Sequence, residues 1–246
     1  MVRFHPVSAA RHWLSEGISL PRWTDTGRTD PSVAITPLQS DETAQAGAVL
    51  ADAFRTENFT TAAFGGYDDH IESAFGTFMA RRMDAYLAHS QPLFVARVGE
   101  TIVGVVILVR PSFSLPTRKT VRIALTNPLT MGRLFRRADP RQTARVLELH
   151  EPPHGITDTH YDLKYIAVAP RWQGVGIGGA LLRAVATLLD CDPGTAGGYL
   201  VTANGSNRRL YERHGYETCE VRCDERIETD EGPLQAYHMT KSAESV

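Results

Sequence analysis

The stretch of sequence that determines the fold is Tyr161–Leu182, which reads YDLKYIAVAPRWQGVGIGGALL. Its first part, up to Val168, predicts a β-strand, and apolar residues three or four apart over Val175–Leu189 predict an amphipathic helix. Glycine has no Cβ, so a ligand can come close to the backbone between these two elements. The N–H groups at the start of a helix also attract an anion. We therefore expect a phosphate-binding segment, the glycine turn, made of Gln173, Gly174, Val175, Gly176, Ile177, Gly178 and Gly179.

The spacing of the glycines distinguishes between the common phosphate-binding turns. A dinucleotide site needs GxGxxG after the first strand of a βαβ unit, whereas Gly174–Gly179 lies late in the chain and meets that spacing only with a further glycine, Gly178, at a variable position. A P-loop needs Gly-Lys followed by Ser or Thr, and no such triplet follows the turn. The spacing that is present is Gln173-x-x-Gly176-x-Gly178. The late position of the turn and the missing Gly-Lys therefore favour the pyrophosphate of another ligand.

The residues that follow the glycine turn add a second motif. A predicted strand, Gly198–Ala203, leads into Asn204 and a short predicted helix, Ser206–His214, which carries Tyr211. Asparagine is a preferred residue before the first turn of a helix. Asn204 can therefore cap this helix, bind a ligand, or do both.

The two motifs together, including Leu210-Tyr211 and Gly215-Tyr216, resemble those of the GNAT N-acetyltransferase superfamily. The resemblance extends over residues 90–240 and is strongest over 161–216. It implies an α/β fold with a central mixed sheet, a splayed pair of strands and flanking helices. It also implies that the glycine turn holds the pyrophosphate of acetyl-CoA, that Asn204 and Asn207 contact the coenzyme, and that Tyr211 lies near its sulfur.

Asn207 points to one branch of that superfamily. It falls where the puromycin acetyltransferase-like branch also carries an asparagine. That branch often has an acidic residue in the strand before Asn204, where this chain has Val201 and Thr202. The resemblance to the branch is therefore incomplete at the position of a substrate contact or base.

Transfer of an acyl group from a thioester to an amine needs a neutral amine, a polarised carbonyl and a proton for the leaving thiolate. The strand N–H groups of Ile166, Ala167 and Val168 are expected to polarise the carbonyl. Tyrosine has an ordinary pKa of about 10, so Tyr211 is the expected proton donor to the thiolate.

The proton acceptor for the amine is less well specified by the sequence. Asp162 or His160 is expected to take this proton, directly or through a water molecule. Alternation along the strand predicts that Asp162, Lys164 and Ile166 share one face, with Tyr161 and Tyr165 on the other. Neither of the two motif segments, 161–182 and 198–216, contains a cysteine, which favours direct transfer in a ternary complex over an acyl-enzyme.

The rest of the chain divides into an extension (1–32) rich in Pro, Gly, Ser and Thr, a GNAT domain (33–241) and a short tail (242–246). Periodicity and turn residues predict further elements on both sides of the motifs. These are a strand Val33–Pro37, helices from Ser40 to about Phe54 and from Asp68 to Leu87, strands Leu93–Val98 and Ile102–Val109, one or two helices within Met131–Leu149, a strand Tyr216–Arg222, a polar hairpin loop Glu228–Pro233 and a strand Leu234–Thr240.

Composition narrows the class of protein. The net charge of −2 gives no reason to expect nucleic acid as a partner. The longest apolar run, Ile102–Val109, is too short to span a bilayer. Cys191, Cys219 and Cys223 form neither a disulfide framework nor a complete zinc-binding pattern. A cytoplasmic protein without a metal is therefore expected, either a monomer or a homodimer.

The leading hypothesis is an acetyl-CoA-dependent N-acetyltransferase that acts on a primary amine of a small molecule such as an antibiotic, an amino acid or another metabolite. A protein or peptide N-acetyltransferase, a non-catalytic acyl-CoA-binding module and a nucleotide-binding domain are the alternatives. The resemblance places the acceptor pocket in 54–75 and 111–160. Five aromatic residues there could line an apolar pocket or pack in the core, namely Phe54, Phe59, Phe64, Tyr67 and Phe113.

Overall fold

A computed structural model describes residues 33–116 and 128–243, which form a seven-stranded mixed sheet flanked by helices. The strands are β1 (Val33–Pro37), β2 (Leu93–Val98), β3 (Thr101–Val109), β4 (His160–Val168), β5 (Gly197–Thr202), β6 (Glu217–Thr229) and β7 (Gly232–Ser242). The helices are α1 (Thr43–Ala53), α2 (Asn58–Phe64), α3 (Asp69–Leu87), α4 (Pro128–Leu134), α5 (Pro140–His150), α6 (Ile156–Thr159), α7 (Ile177–Asp190) and α8 (Gly205–Glu212).

The strand order is β1-β2-β3-β4-β5-β7-β6, and β4 and β5 form the one parallel pair of this described sheet. They pair through His160 with Gly197, Tyr161 with Gly198, and Asp162 with Tyr199. Beyond Asp162 the two strands diverge, and we call the opening between Leu163–Val168 and Leu200–Thr202 the splay. The predicted mixed sheet with a splayed strand pair is thus confirmed.

A β-bulge at Lys164 changes the faces of β4. The register with β3 shifts there, so Lys164 has no residue opposite it. Ile166 consequently packs with Tyr161 in the core beneath α7, and Tyr165 packs into the opposite core beneath α1 and α3. The predictions that Ile166 shares a face with Asp162 and that Tyr161 shares a face with Tyr165 were both wrong, because simple alternation ignores the extra residue.

Two cores lie on the two faces of the sheet. On one face, α7 buries the predicted apolar stripe, which includes Leu181 and Val185. On the other face, α1 and α3 come so close that a Cβ on Gly47 would clash with the carbonyl oxygen of Gly76. A third, smaller core joins α2 and α5 to β5, β6 and β7. Helices therefore cover both faces near the splay.

The boundaries of most predicted elements are confirmed, with three differences. The helix α2 was not predicted, because its first turn is capped by Glu57 rather than by a usual Ser, Thr, Asp or Asn. The short α6 was also missed. The hairpin loop Glu228–Pro233 was wrong, since β6 extends to Thr229 and the turn is closed by Gly232 at φ +98°. Its polar residues belong instead to an exposed edge strand.

The proposed limits of the extension, the domain and the tail remain predictions. The predicted extension lies outside the described residues, and β7 ends at Ser242, one residue beyond the predicted end of the domain. The five predicted pocket aromatics mostly pack in cores. Phe59 and Phe64 are buried, whereas Phe54, Tyr67 and Phe113 are partly exposed at the edge of the core under α1 and α3.

Candidate active site

The outer half of β4 presents backbone groups to the splay. Ala169 donates its N–H to the carbonyl oxygen of Val103 on β3 at 2.9 Å, and Ala167 pairs with Val105 on the same side. Because antiparallel pairing alternates along a strand, the N–H groups of Ile166 and Val168 point the other way. These two amides open on the splay, whereas the amide of Ala167 belongs to the sheet.

The glycine turn is fastened to the end of β4. The side-chain amide of Gln173 donates to the carbonyl oxygen of Val168 at 2.9 Å. Gly174 and Gly176 have φ values of +79° and +88°, a region that side chains with a Cβ rarely adopt. A Cβ on either residue would meet no atom of the described residues within 4 Å. The backbone of the turn is therefore open to a ligand.

The start of α7 supplies hydrogen-bond donors at this open surface. The first helical bond runs from the N–H of Ala180 to the carbonyl oxygen of Gly176 at 3.0 Å. The preceding amides of Ile177, Gly178 and Gly179 have no helical acceptor. Val175, in the middle of the turn, is 64% exposed. Free donors at a helix start suit a pyrophosphate.

Helix α8 brings the second motif to the same place. A Cβ on Gly178 would lie 3.8 Å from the Leu210 side chain and 3.9 Å from that of Val168. The glycine turn, the end of β4 and α8 therefore converge. Asn207 is exposed on α8.

Asn204 does not cap α8, although it stands at the N-cap position. Its side-chain oxygen is buried and has no hydrogen-bond partner in the described part of the chain. A buried acceptor without a donor is costly. An amide N–H of a bound coenzyme would satisfy it, so the residues present fit the coenzyme that the sequence implies.

Tyr211 is buried, with 8% of its surface exposed, and its ring packs edge-on against Tyr216 at 6.0 Å. Burial raises the pKa of Tyr211, and the nearby carboxylate of Glu57 raises it further. Tyr211 therefore keeps its proton at physiological pH and is available as a hydrogen-bond donor.

Glu57 is a site residue that the sequence did not reveal. It precedes α2, where its carboxylate accepts hydrogen bonds from the N–H of Thr60 at 2.8 Å and from its hydroxyl at 2.9 Å. The next residue, Asn58, donates to the carbonyl oxygen of Ala203 at 3.5 Å, which ties α2 to the end of β5. Burial raises the pKa of the Glu57 carboxyl, although the Thr60 bonds lower it. A carboxylate of raised pKa near Tyr211 suits a general base.

Asp162 lies at the closed end of the splay. It is 6% exposed, and its carboxylate is 2.5 Å from the ammonium of Lys164. Burial raises the pKa of Asp162, while Lys164 and Arg82 lower it. His160 lies outside the splay, where its Nδ1 contacts the hydroxyl of Thr159 at 2.9 Å.

A buried chain of polar groups runs behind the closed end of the splay. The hydroxyl of Tyr199 lies 2.6 Å from Nδ1 of His238, whose Nε2 lies 3.0 Å from the carbonyl oxygen of Leu149. A carbonyl can only accept, so Nε2 carries the proton and Nδ1 accepts from Tyr199. Burial lowers the pKa of His238, which keeps the ring neutral. The chain joins α5 to β5 and β7.

His150, at the end of α5, packs edge-on against Phe59 with 5.0 Å between ring centres. Burial, helped by Lys164 and His238, lowers the pKa of His150 to about 4. The ring is therefore neutral at pH 7.

The low pKa of His150 predicts destabilisation by acid. The ordinary histidine pKa is 6.5, and that of His150 in the folded chain is about 4. Between these two pH values the unfolded chain is protonated at His150 and the folded chain is not. The free energy of unfolding therefore falls as pH falls through this window, by up to about 3 kcal/mol. When the free energy of unfolding is measured with urea at pH 7 and at pH 4.5, its decrease should be smaller by that amount in His150→Gln than in the wild type. The exposed His154→Gln is the control, and an unchanged loss in His150→Gln contradicts the prediction.

The described residues contain neither a membrane-spanning helix nor a metal-binding cluster. No helix within 33–116 and 128–243 combines the length and hydropathy needed to cross a membrane. The same residues hold no group of three or more His, Cys, Asp and Glu side chains placed to bind a metal ion.

The sequence and the fold are both similar to those of known proteins. Residues 143–218 match the family described as the acetyltransferase (GNAT) domain. No curated protein matches the sequence. Solved structures match over most of their length. The histone acetyltransferase HPA2 and related acetyltransferase from Corynebacterium glutamicum matches with 20% identity and a TM-score of 0.56, over 86% of this chain and 97% of that one.

Two further structures share the fold. The C-terminal condensation domain of Ebony, in complex with beta-alanyl-dopamine, has 9% identity and a TM-score of 0.54 over 85% of this chain and 98% of its own. A proposed phosphinothricin N-acetyltransferase has 12% identity and a TM-score of 0.51 over 87% of this chain and all of its own (100%). At sequence identities this low, the similarity shows only that the folds are alike. The fold is that of the GNAT acetyltransferases.

Proposed function

We propose that this chain is an acyltransferase that transfers the acetyl group of acetyl-CoA to a primary amine of a small molecule, since residues 143–218 match the acetyltransferase (GNAT) domain. The observation that supports the proposal is the convergence at the splay. The amides of Ile166 and Val168, the glycine turn and Tyr211 all lie along this one opening.

The residues that would hold the coenzyme follow from the site. The glycine turn receives the pyrophosphate on the amides of Ile177, Gly178 and Gly179, and Asn204 accepts a hydrogen bond from the pantetheine chain. Asn207 adds a contact from α8. When bound, acetyl-CoA supplies the acetyl group as a thioester.

The transfer forms a C–N bond to the acceptor amine, breaks the C–S bond, and moves one proton from nitrogen to the protein while the sulfur leaves as a thiolate. Ile166 and Val168 donate their N–H groups to the thioester oxygen as negative charge develops on it. Glu57 accepts the amine proton. The hydroxyl of Tyr211 donates a hydrogen bond to the departing thiolate.

Asp162 is a second candidate for the base. It is buried and has a raised pKa, as a base requires. Its ion pair with Lys164 holds it at the closed end of the splay. Glu57 is favoured over it because Glu57 lies close enough to raise the pKa of Tyr211, the group expected to face the sulfur.

Tyr211→Phe is expected to lower kcat about 10- to 100-fold, because a hydrogen bond to a charged group contributes about 1.5–3 kcal/mol. The affinity for coenzyme A should stay within about twofold, since the ring is retained. Tyr216→Phe is the matched control, because its hydroxyl is buried without a partner in the described residues. Steady-state thiol release and calorimetry measure both quantities. Equal rates for Tyr211→Phe and wild type would remove Tyr211 from the reaction.

Two measurements test the function itself. Free thiol is followed while the protein is mixed with acetyl-CoA and a panel of amines that includes small molecules and peptides. Calorimetry compares coenzyme A with NAD and ATP. Coenzyme binding without turnover on any amine indicates a binding module, turnover on peptides alone indicates a peptide acetyltransferase, and binding of NAD or ATP alone indicates a nucleotide-binding domain.

The finer assignments are part of the same proposal. The likeness to the puromycin acetyltransferase-like branch depends on Asn207 and stays a prediction.

Cys191, Cys219 and Cys223 are exposed and free, which suits a reducing compartment such as the cytoplasm.

A further inference from the structure

Arg82, on α3, is the most unusual charged residue near the splay. Its guanidinium lies 5.6 Å from the ring centre of Phe78, 5.8 Å from that of Tyr86 and 6.0 Å from that of Tyr165. One terminal nitrogen donates to the hydroxyl of Tyr86 at 3.0 Å. The Nε atom is buried and has no hydrogen-bond partner among residues 33–116 and 128–243. A buried donor on a cation that lacks an acceptor is costly.

In the part of the chain that the structure describes, the charges around Arg82 leave it without a balancing anion. Asp162 is the nearby carboxylate, and it already pairs with Lys164 at 2.5 Å. His150 and His238 are neutral at pH 7, because burial lowers the pKa of each. A guanidinium stays protonated, so within residues 33–116 and 128–243 the groups around Arg82 leave one positive charge uncompensated.

Arg82 also lies where an acceptor would sit. Its ring partner Tyr165 directly precedes Ile166, whose amide faces the splay. Tyr165 packs into the core beneath α1 and α3, where the ring of Phe54 meets it at 5.7 Å. The glycine turn leads instead into α7, on the other face of the sheet. A coenzyme on the α7 side therefore leaves the side of Arg82 to the amine.

We infer that the acceptor is an amine that also carries a carboxylate, and that Arg82 binds this carboxylate. The inference rests on the proposed acetyl transfer and names its substrate class. The free Nε–H and an adjacent terminal N–H of a guanidinium form the planar pair of donors that a carboxylate accepts in bidentate fashion. The positive charge also disfavours an ammonium beside it, which helps the acceptor amine to stay neutral for attack.

Matched sets of amines test the substrate class. Each set holds an amino acid, its carboxamide and the amine that lacks the carboxylate, and thiol release gives KM and kcat for each member with acetyl-CoA. The amino acid of the best set should have a KM at least about tenfold below that of its carboxamide, the loss expected when a charged hydrogen bond is removed. Equal or lower KM values for the carboxamides would overturn the inference and leave acetyl transfer standing.

Variants assign the preference to Arg82. Arg82→Gln should lose the preference for the carboxylate, raising KM for the amino acid about tenfold or more while KM for the carboxamide changes little. Tyr86→Phe removes the hydrogen bond of Arg82 but keeps its charge, so it should keep the preference. An Arg82→Gln protein that binds coenzyme A normally and still prefers the amino acid would overturn the role of Arg82.

A measurement on the wild-type protein covers the case in which Arg82→Gln does not fold. Carboxylic acids that match the amino acids but lack the amine should inhibit competitively against the amine, and the corresponding carboxamides should not. Inhibition by both classes alike counts against the inference. Absence of coenzyme A binding and of thiol release with every amine would instead show that the proposed function is wrong.

Discussion

Glu57→Gln should lower kcat about 10²- to 10⁴-fold, the usual contribution of a general base. Glutamine keeps the size of the side chain and can still accept the hydrogen bonds from Thr60 that cap α2. It cannot take a proton from the amine. The affinity for coenzyme A should be unchanged, because Glu57 lies at α2 rather than at the glycine turn. Thiol release under saturating acetyl-CoA and calorimetry separate the two effects.

The pH dependence distinguishes a base from a structural residue. The raised pKa of Glu57 means that kcat/KM of the wild type should fall as pH falls through a value above the ordinary glutamate pKa of 4.5. This acid limb should be absent from the residual activity of Glu57→Gln. If the limb persists in Glu57→Gln and disappears in Asp162→Asn, then Asp162 is the base.

Stability should move in the opposite direction to activity. Between pH 4.5 and its raised pKa the folded chain binds the Glu57 proton more tightly than the unfolded chain, so the free energy of unfolding falls as pH rises through this window. An amide has no such loss, and Glu57→Gln should be at least as stable as wild type at pH 7. Asp68→Asn is the matched control, since Asp68 also caps a helix but has a lowered pKa from the Ile71 N–H bond. The variant Asp68→Asn should keep full activity.

Gly176→Ala should weaken coenzyme A binding on the order of 100-fold. Gly176 has a φ of +88° and stands immediately before α7, so alanine there strains the backbone and turns the amides of the glycine turn away from a common point. Loss of two charge-assisted hydrogen bonds is enough for an effect of this size. Within residues 33–116 and 128–243 the added Cβ meets no atom within 4 Å, and it therefore projects into the open surface expected to receive the pyrophosphate.

Gly99→Ala controls for backbone strain. Gly99 has a φ of +58° in the β2–β3 hairpin, and a Cβ there also meets no atom within 4 Å. Both variants should therefore lose similar stability, about 1–2 kcal/mol, in urea unfolding. Calorimetry should show wild-type affinity for coenzyme A in Gly99→Ala alone. Equal affinities in the two variants would place the pyrophosphate elsewhere.

The parts of the fold that the sequence predicted are those encoded by neighbouring residues. The glycine turn lies between an apolar strand and an amphipathic helix, and each of these signals needs only a short window. The β4 bulge needs more, because it depends on how β3 and β4 pair and no turn residue marks Lys164. The edge strand β6 was cut short for a related reason, since its polar residues look like a loop until the pairing with β7 is known.

The site residues likewise divide into those that a local sequence motif predicts and those that it does not. Asn204 and Tyr211 belong to a local motif and were found from it, whereas Glu57 and Arg82 come from helices distant in the sequence and carry no motif. Their importance follows from burial and from neighbours, such as the effect of Glu57 on Tyr211. A single sequence contains neither piece of information. Asp162 was selected as a base because it lies on the motif strand, and its partner Lys164 became apparent only with the bulge.

The three residue pairs that join β4 to β5 have a mechanical consequence. The sheet consists of two panels, β1–β4 and β5–β7–β6, whose backbones pair from His160–Gly197 to Asp162–Tyr199 and then diverge. A ligand that contacts Ile166 on one panel and Asn204 at the rim of the other spans the splay and acts as a brace between the two panels. Because such a ligand binds only the folded chain, it raises the free energy of unfolding, by about 2.7 kcal/mol at a concentration 100 times its Kd. Amide hydrogen exchange along the facing edges of the two panels should slow most when the brace is in place.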